Sequence, residues 1–321
     1  MVTITPTAAP PEPAVARNAT PNPEFIKLPP NELGKVMILS YHMIGEPEQR
    51  WQRTPDNFRN DLERLYQAGY RLLSLRDFLD NNITTPAGFS PVILTLDDSS
   101  PGQFRYTDKG QDVEIDPNSA AGILVDFAKK HPDFGLEATF FVLPEGAPPD
   151  KLFGQPKYEQ RKLQQIVDLG MDLGNHTWWH QPLGEVSDEE VQMQLAFAVK
   201  SVKEAVPGYE MDVVALPLGS YPKNRALAFA GEYKGYRYKN RAVLLAGEEP
   251  AASPNRNGYD ALALPRIQAT QDQLDLWFGG LAKNPAERYV SDGDPNTITF
   301  SAAVADQLDE ASPTGNAARK Y

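Results

Sequence analysis

Two short blocks of the chain contain the residue types that a hydrolytic metal centre requires. Asp97 and Asp98 end an apolar run, and His176 and His180 lie four residues apart some eighty residues later. A catalytic divalent metal typically takes three protein ligands of the histidine and carboxylate kind and keeps one position open for water. Asp98, His176 and His180 can fill these three places. Asp97 is then left beside the metal, where a carboxylate can accept the proton of an attacking water.

A second interpretation of the same residues has no metal in it. His176 and His180 would be surface imidazoles at the start of a helix, and the Asp97-Asp98 pair would form a turn at the end of a strand. The chain has only four histidines. A spacing of four between two of them has odds on the order of a few per cent by chance. The metal site is therefore the favoured interpretation.

Composition limits both the fold and the ligands. With 321 residues and 41% hydrophobic content, the chain can bury one large core, and we predict a single domain. Because there is no cysteine, a metal must be held by nitrogen and oxygen ligands. This donor set suits zinc, with cobalt, nickel and manganese as alternatives. The net charge of -12 argues against nucleic acid and anionic membrane surfaces as partners.

The two ends of the chain differ from its middle. The first thirty residues contain eight prolines and few large apolar residues, which predicts a disordered linker over residues 1–33. We place the folded domain at 34–300 and a C-terminal tail at 301–321. No stretch has the pattern of a signal peptide or the length of a membrane span. We therefore expect a mature exported protein, extracellular or associated with the cell envelope, whose signal or anchor has been removed.

The middle of the chain alternates between apolar runs and amphipathic segments, which is typical of parallel α/β folds. Capping residues and prolines mark the helix starts, as with Thr54 before Pro55 and Ser187 before a long helix. Strands are predicted at 36–41, 70–75, 91–96, 138–143, 170–174, 212–216, 242–245 and 261–264. Helices are predicted at 55–68, 76–81, 120–130, 156–169 and 187–206. The repeated units favour an α/β fold, an irregular (β/α) barrel of seven or eight mainly parallel strands.

The residues that could bind a metal or take part in catalysis follow the carboxyl ends of these strands. His42, Asp98, His176, Leu218 and Arg266 each come at or just after the end of an apolar run. In a parallel barrel these ends lie on one face, and that face holds the active site. A polar, turn-rich insertion at 100–118 also follows one of these strands, and loops at this face commonly shape substrate access.

Four motifs resemble those of the polysaccharide deacetylases, carbohydrate esterase family 4. They are Thr95-Leu96-Asp97-Asp98, the segment 138–142, Gly-Asn-His-Thr-Trp-Trp-His at 174–180 and Pro-Leu-Gly at 217–219. The resemblance spans roughly residues 36–270. It implies an irregular α/β barrel and the metal-dependent removal of acetyl groups from N-acetylated, and sometimes O-acetylated, sugars. It also implies Asp97 as general base and Asp98 with the two histidines as ligands.

The chain departs from that family in two places. The family's arginine before Pro-x-Gly is missing, since Ala215 and Leu216 occupy the region, and no histidine follows His180 to supply the usual general acid. Ser-Tyr-His-Met-Ile at 40–44 is similar, however, to the N-terminal Tyr-His motif of the branch that deacetylates poly-N-acetylglucosamine. This similarity implies His42 as the general acid. The alternative is an imidazole that caps the end of a strand.

Further site residues are assigned by position. Arg266 is the candidate substitute for the missing arginine, with an ordinary ion pair as the alternative. The backbone N–H of Leu218 is a candidate donor to the oxyanion. Trp178, Trp179 and Tyr221 lie beside the site and offer surfaces on which sugars can stack, although aromatic residues are more often part of a core.

Three functions are consistent with the sequence. The first is a metal-dependent N-deacetylase acting on polysaccharide that contains N-acetylglucosamine-type sugars. The second is an O-acetyl carbohydrate esterase, which needs less help from an acid because an alkoxide leaves more easily than an amine anion. The third is a non-catalytic glycan-binding relative that keeps the metal site.

Overall fold

The structure, a computed structural model, describes residues 28–110, 112–147, 151–247, 249–310 and 316–321. Most of the predicted linker, residues 1–27, lies outside the described residues. Of its remainder, Leu33 is fully buried and Asn31 forms a bridge with Val290. In the predicted tail, the strand Ala317–Lys320 pairs with Thr297–Phe300. The division at residues 33 and 300 stays a prediction.

A curled main sheet of nine strands organises the fold. The strands are β1 Lys35–Tyr41, β2 Tyr70–Leu72, β3 Ser90–Leu96, β4 Thr139–Val142, β5 Asp172–Asn175, β6 Val213–Ala215, β7 Ala242–Leu244, β8 Ala251–Ala252 and β9 Ile267–Gln268. Their order in the sheet is β7-β6-β5-β4-β3-β1-β8, with β2 also paired to β3 and β9 to β1. All pairs are parallel except that of β1 with β8. The predicted α/β class and mainly parallel, barrel-like sheet are confirmed, the sheet forming a half-barrel.

Helices connect the strands and begin where capping residues allow. The side chain of Thr54 accepts a hydrogen bond from the N–H of Asn57, and that of Ser187 accepts one from Glu190, as N-caps do. The α-helices are α1 Pro55–Gln67, α2 Leu75–Leu79, α3 Ala120–Lys130, α4 Glu159–Asp168, α5 Asp188–Ala205 and α6 Gln271–Lys283. Helix α6 is absent from the sequence prediction.

Short elements fill the connections. Two-stranded sheets pair Met43–Ile44 with Gln52–Arg53, Tyr106–Lys109 with Asp112–Ile115, Ala230–Tyr233 with Tyr236–Lys239, and Thr297–Phe300 with Ala317–Lys320. The second of these is a hairpin inside the predicted polar insertion. The 3-10 helices are Lys151–Phe153, Pro156–Tyr158, Leu183–Glu185, Pro217–Gly219, Arg225–Ala228, Ala261–Ala263, Pro285–Glu287 and Ala302–Gln307.

The strand predicted at 261–264 is wrong. Ala261–Ala263 is a 3-10 helix, because the side chain of Asp260 accepts a hydrogen bond from the N–H of Leu262 and caps the turn. Only Leu264 pairs with the sheet, through a single parallel bridge to Leu244.

The segment 264–268 contacts both sides of the curled sheet. Leu264 accepts a hydrogen bond from the N–H of Leu245, just after β7. Three residues later, β9 pairs in parallel with Leu39 and Ser40 of β1. Arg266 therefore lies between β7 and β1, at the carboxyl ends of the strands, and its side chain is 1% exposed.

Both faces of the sheet are buried, as in other parallel sheets. Along β1, Met37 and Leu39 belong to the large cluster that includes Phe58 of α1, whereas Val36 and Ile38 belong to a second cluster on the opposite face. In the described part of the chain, no helix has the length and apolar character that a membrane span needs.

A half-buried acid at the amino ends of the strands makes stability depend on pH. Burial, with the charges of Asp172 and Asp77, raises the pKa of Glu137 to about 8. Because this lies above the ordinary value, protonation favours the folded state. The contribution is fully present below about pH 4.5 and is lost as pH rises through 8.

We therefore expect Glu137→Gln to be more stable than the parent at pH 9, by about 1–3 kcal/mol after solvent screening of this half-buried group, and equal at pH 4. Urea unfolding at both pH values measures the difference. The same gap between the two proteins at pH 4 and pH 9 would contradict the assignment.

Candidate active site

Three predicted ligands converge at the carboxyl ends of β3 and β5. Oδ1 of Asp98 lies 3.2 Å from Nε2 of His176 and 3.3 Å from Nε2 of His180. A tetrahedral ion with bonds of about 2.0–2.1 Å separates its ligand atoms by roughly 3.3–3.4 Å. Both distances fit a carboxylate oxygen and an imidazole nitrogen bound to one ion, and the three candidate ligand atoms all lie within 4.8 Å of one another. Oδ1 of Asp98 is buried, and among the described residues it has no hydrogen-bond partner of regular geometry.

The proton of His176 is located by its neighbour. Nδ1 lies 2.8 Å from the backbone oxygen of Ala215. Because a carbonyl can only accept, Nδ1 carries the hydrogen, and the lone pair of Nε2 faces Asp98. Burial alone would lower the pKa of this fully buried imidazole, but the charges of Asp97 and Asp98 raise it. A cation at the site is thus electrostatically favoured.

Local hydrogen bonds fold the loop that carries His180. The N–H of His180 donates to Oγ1 of Thr177 at 3.0 Å, and the N–H of Thr177 donates to Oδ1 of Asn175 at 2.8 Å. The two backbone N–H groups of residues 178–179 both donate to Oε1 of Gln194, on α5. These contacts place the second imidazole next to the first, with ring centroids 4.9 Å apart.

Backbone strain is concentrated at the same place. The φ angles of Asp98, Ser99, Thr177, His180 and Leu218 are 76°, 56°, 69°, 61° and 55°. Residues other than glycine rarely adopt this left-handed region, and each instance costs on the order of 1–3 kcal/mol. Such strain persists only where the surrounding contacts impose it, and it clusters at functional sites.

Asp97 forms an ion pair with Arg266 and is not part of the cluster of candidate ligand atoms. Its Oδ1 and Oδ2 accept hydrogen bonds from Nη1 and Nη2 at 2.8 and 2.7 Å. Burial raises the pKa of this carboxyl, but the guanidinium outweighs it, so the pKa lies far below its usual range. Nη1 also donates to Oγ1 of Thr95 at 3.1 Å, and Nε donates to the backbone oxygen of Leu245 at 3.0 Å. Arg266 thus lies beside the candidate base, and its role in catalysis stays a prediction.

His42 follows β1 on the same face. Burial lowers the pKa of its imidazole, whereas the charges of Asp97 and Asp98 raise it. Its ring centroid lies 5.2 Å from that of Trp51. The side-chain amide of Gln103 donates to the backbone oxygens of both His42 and Asp97, tying the ends of β1 and β3 together. Sequence analysis missed Gln103, since one amide in a polar insertion carries no recognisable signal.

Two of the proposed sugar contacts have structural partners. The ring of Trp178 packs edge-on against Phe197 of α5, with centroids 5.6 Å apart. The hydroxyl of Tyr221 donates to the backbone oxygen of Leu262. Both residues therefore lie at the site but are engaged in packing. Their contact with substrate stays a prediction.

Three apolar side chains at this face are exposed to solvent. Leu218, in the Pro217–Gly219 turn after β6, is 73% exposed, Trp179 is 47% exposed and Trp51 is 42% exposed. Large apolar side chains that stay in water beside a polar site are candidates for ligand contact. Trp51 was not among the residues selected from the sequence, because no motif contains it.

Comparison with known families agrees with the geometry. Residues 87–238 match the family model described as polysaccharide deacetylase. The match covers just under half of the 321 residues. The matched span includes the aspartate pair, both histidines and Leu218, whereas His42 and Arg266 lie outside it. The similarity of the N-terminal Tyr-His segment to the poly-N-acetylglucosamine branch stays a prediction.

Solved structures show the same fold. The Streptococcus pyogenes deacetylase PplD, in complex with acetate, is 20% identical, with a TM-score of 0.54, over 74% of this chain and 92% of that one. BC0361, a polysaccharide deacetylase from Bacillus cereus, is 18% identical, with a TM-score of 0.54, over 76% of this chain and 69% of that one. IcaB from Ammonifex degensii is 18% identical, with a TM-score of 0.52, over 77% of this chain and 96% of that one. At these identities the likeness concerns the fold alone. A search of the curated proteins gave no match.

The buried ion pair leads to a stability prediction. Arg266→Ala leaves the Asp97 carboxylate buried without a counter-charge, which typically costs about 3–5 kcal/mol. The double variant Arg266→Ala, Asp97→Asn removes the charge as well, so it should regain part of this loss. Urea unfolding of the parent, both single variants and the double variant measures the coupling. Strictly additive effects of the two substitutions on the free energy of unfolding would contradict the predicted coupling.

Proposed function

We propose that this protein is a metal-dependent hydrolase that removes acetyl groups from polysaccharide containing N-acetylglucosamine-type sugars. One observation carries the proposal: adjacent carboxylates have separate partners, with Asp98 facing two imidazoles and Asp97 held by Arg266. The family and the fold support the same reaction class. The nitrogen and oxygen donors, in a chain without cysteine, suit zinc best.

Asp98, His176 and His180 would hold the ion. A divalent metal there supplies Lewis-acid polarisation of an acetyl carbonyl and makes water more acidic. Asp97 is the group that accepts the proton of the attacking water. Arg266 keeps Asp97 ionised and fixes its orientation, although a lowered pKa also makes the carboxylate a weaker base.

The leaving amine needs a proton, and we assign His42 as its donor. It is half-buried on the same side as Asp97, and the charge of that carboxylate raises the pKa of its imidazole against the opposing effect of burial. Negative charge that develops on the acetyl oxygen needs a donor, for which the backbone N–H of Leu218 is the candidate on the chain. Both roles are part of the proposal.

The surface favours a neutral or cationic polymer. A chain with a net charge of -12 repels polyanions, whereas an N-acetylated glycan is neutral and its deacetylated product is cationic. The exposed rings of Trp51 and Trp179 offer flat surfaces for pyranose rings. Because such polymers belong to the cell envelope and its surroundings, we propose that the protein acts outside the cytoplasm.

An O-acetyl carbohydrate esterase is the second candidate. Burial lowers the pKa of His42, which disfavours the protonated acid that an amine leaving group requires. An ester needs less acid assistance because its alkoxide leaves more readily. Acetate release from O-acetylated xylan without release from N-acetylated glycans would select this alternative.

Variants of the two aspartates test the proposal. Asp97→Asn should retain metal and lose on the order of 100-fold or more in kcat, because a proton acceptor is lost. Asp98→Asn should lose metal and activity together. Acetate release is measured on chitin oligomers, poly-N-acetylglucosamine, peptidoglycan and acetylated xylan, alongside metal content. A parent protein that releases no acetate from any of these glycans would refute the proposal.

The variant Arg266→Ala distinguishes a role of Arg266 in orienting Asp97 from a role in metal binding. Because the guanidinium contacts the base and none of the three ligands, turnover should fall sharply while the bound metal stays at the level of the parent. The measurement pairs kcat with metal content on folded protein. Unaltered turnover would show that Arg266 has only a structural role.

A further inference from the structure

An unusual turn lies behind the candidate metal site. Residues Leu152, Phe153, Gly154 and Gln155 have φ angles of 41°, 66°, 59° and 53°, so four successive residues are left-handed. Residues other than glycine rarely adopt this conformation even singly. We name residues 152–155 the left-handed turn. Contacts from outside the turn must hold it in place.

Lys162 supplies such contacts from inside the protein. It lies on α4, and its side chain is fully buried. Its Nζ donates hydrogen bonds to the backbone oxygens of Phe153 at 2.8 Å and Gly154 at 3.0 Å. Hydrogen bonds from a charged donor are stronger than neutral ones, and the low local dielectric increases their strength. A buried lysine is rarely found without a specific partner, and here the described acceptors are the carbonyls of the turn.

The left-handed turn also holds Ser99, the residue after Asp98. The N–H of Phe153 donates to the backbone oxygen of Ser99 at 2.7 Å. The ring of Phe153 is fully buried and lies 5.9 Å, between centroids, from Phe140 of β4. On the other side, Oγ of Ser99 accepts a hydrogen bond from the N–H of Leu143 at 2.8 Å. Ser99 is thus fixed through both its backbone and its side chain.

The same turn also fixes the insertion beside the site. The side chain of Gln155 pairs with the backbone of Tyr106 like a neighbouring strand, accepting at 2.9 Å and donating at 2.8 Å. Tyr106 begins the hairpin of the polar insertion. The turn therefore connects α4, the insertion and the Asp98-Ser99 segment.

We propose that Lys162 is a positioning residue for the metal centre. It holds the left-handed turn, the turn holds Ser99, and Ser99 keeps the neighbouring Asp98 in the left-handed conformation that aims Oδ1 at the two imidazoles. The inference rests on the proposed function only in taking Asp98 as a metal ligand. Lys162 lies outside the ligand set and has no part in the proton transfers.

A positioning role differs measurably from a general contribution to stability. Loss of stability alone leaves the metal affinity of the folded molecules unchanged wherever the unfolded fraction is negligible. Loss of positioning weakens metal binding in the folded state itself. The dissociation constant for zinc, measured without denaturant at 15 °C, therefore separates the two roles, and it does not depend on catalytic activity.

Lys162→Met tests the proposal, because methionine keeps an unbranched apolar chain and removes the donors. Zinc affinity is measured by competition with a chromophoric chelator, and folding by circular dichroism and urea unfolding. We expect the dissociation constant to rise tenfold or more. Lys157→Met, an exposed lysine five residues earlier, is the matched control and should stay within twofold of the parent.

Gly154→Ala provides an independent route, because it strains the left-handed turn and leaves Lys162 in place. It should weaken zinc binding in the same direction, and it decides the question if Lys162→Met does not fold. A folded Lys162→Met protein with the zinc affinity of the parent would overturn the proposal, as would an unchanged affinity in Gly154→Ala when it alone folds. A parent protein that binds no zinc would instead refute the proposed function.

Discussion

Asp97 and Arg266 form a bidentate ion pair that is almost completely excluded from water, at 2.7 and 2.8 Å. Removing two charges from water is expensive, and good geometry with every remaining donor satisfied is needed to offset it. Besides its two hydrogen bonds to Asp97, Arg266 donates to Thr95 and to the carbonyl of Leu245. The pair therefore links β3 to the segment that follows β7. It also distinguishes the two adjacent carboxylates, since Asp97 is paired with Arg266 whereas Asp98 lies beside the two imidazoles.

The parallel sheet explains how residues from 42 to 266 come to share one site. The carboxyl ends of parallel strands lie together at one end of the sheet. Each candidate functional side chain therefore needs only to follow its own strand. The final orientation depends on strained loops. Asp98, Thr177, His180 and Leu218 are all left-handed, and side chains such as Gln103 and Gln194 hold these loops by bonding to their backbone. The sheet brings the candidate functional residues close together, and the loops orient their side chains.

Sequence reasoning succeeded where a local signal exists. The apolar run of β1, the Thr54 and Ser187 caps and the spacing of His176 and His180 are visible in short windows. The 3-10 helix Ala261–Ala263 lies in a short apolar run that predicts a strand, and the Asp260 cap marks it as a helical turn. Helix α6 was missed, and the partners of Arg266, Gln103 and Lys162 are set by tertiary contacts between distant segments. The position of Arg266 after a strand end could be read from the sequence, whereas its bidentate contact with Asp97 could not.

A crystal structure of the zinc-loaded protein, with the ion located by anomalous scattering, tests the division between the two carboxylates most directly. The account predicts one ion bound by Oδ1 of Asp98 and by Nε2 of His176 and His180, with Asp97 still paired to Arg266. An ion that bridges both aspartates, or that binds away from the two histidines, would contradict it.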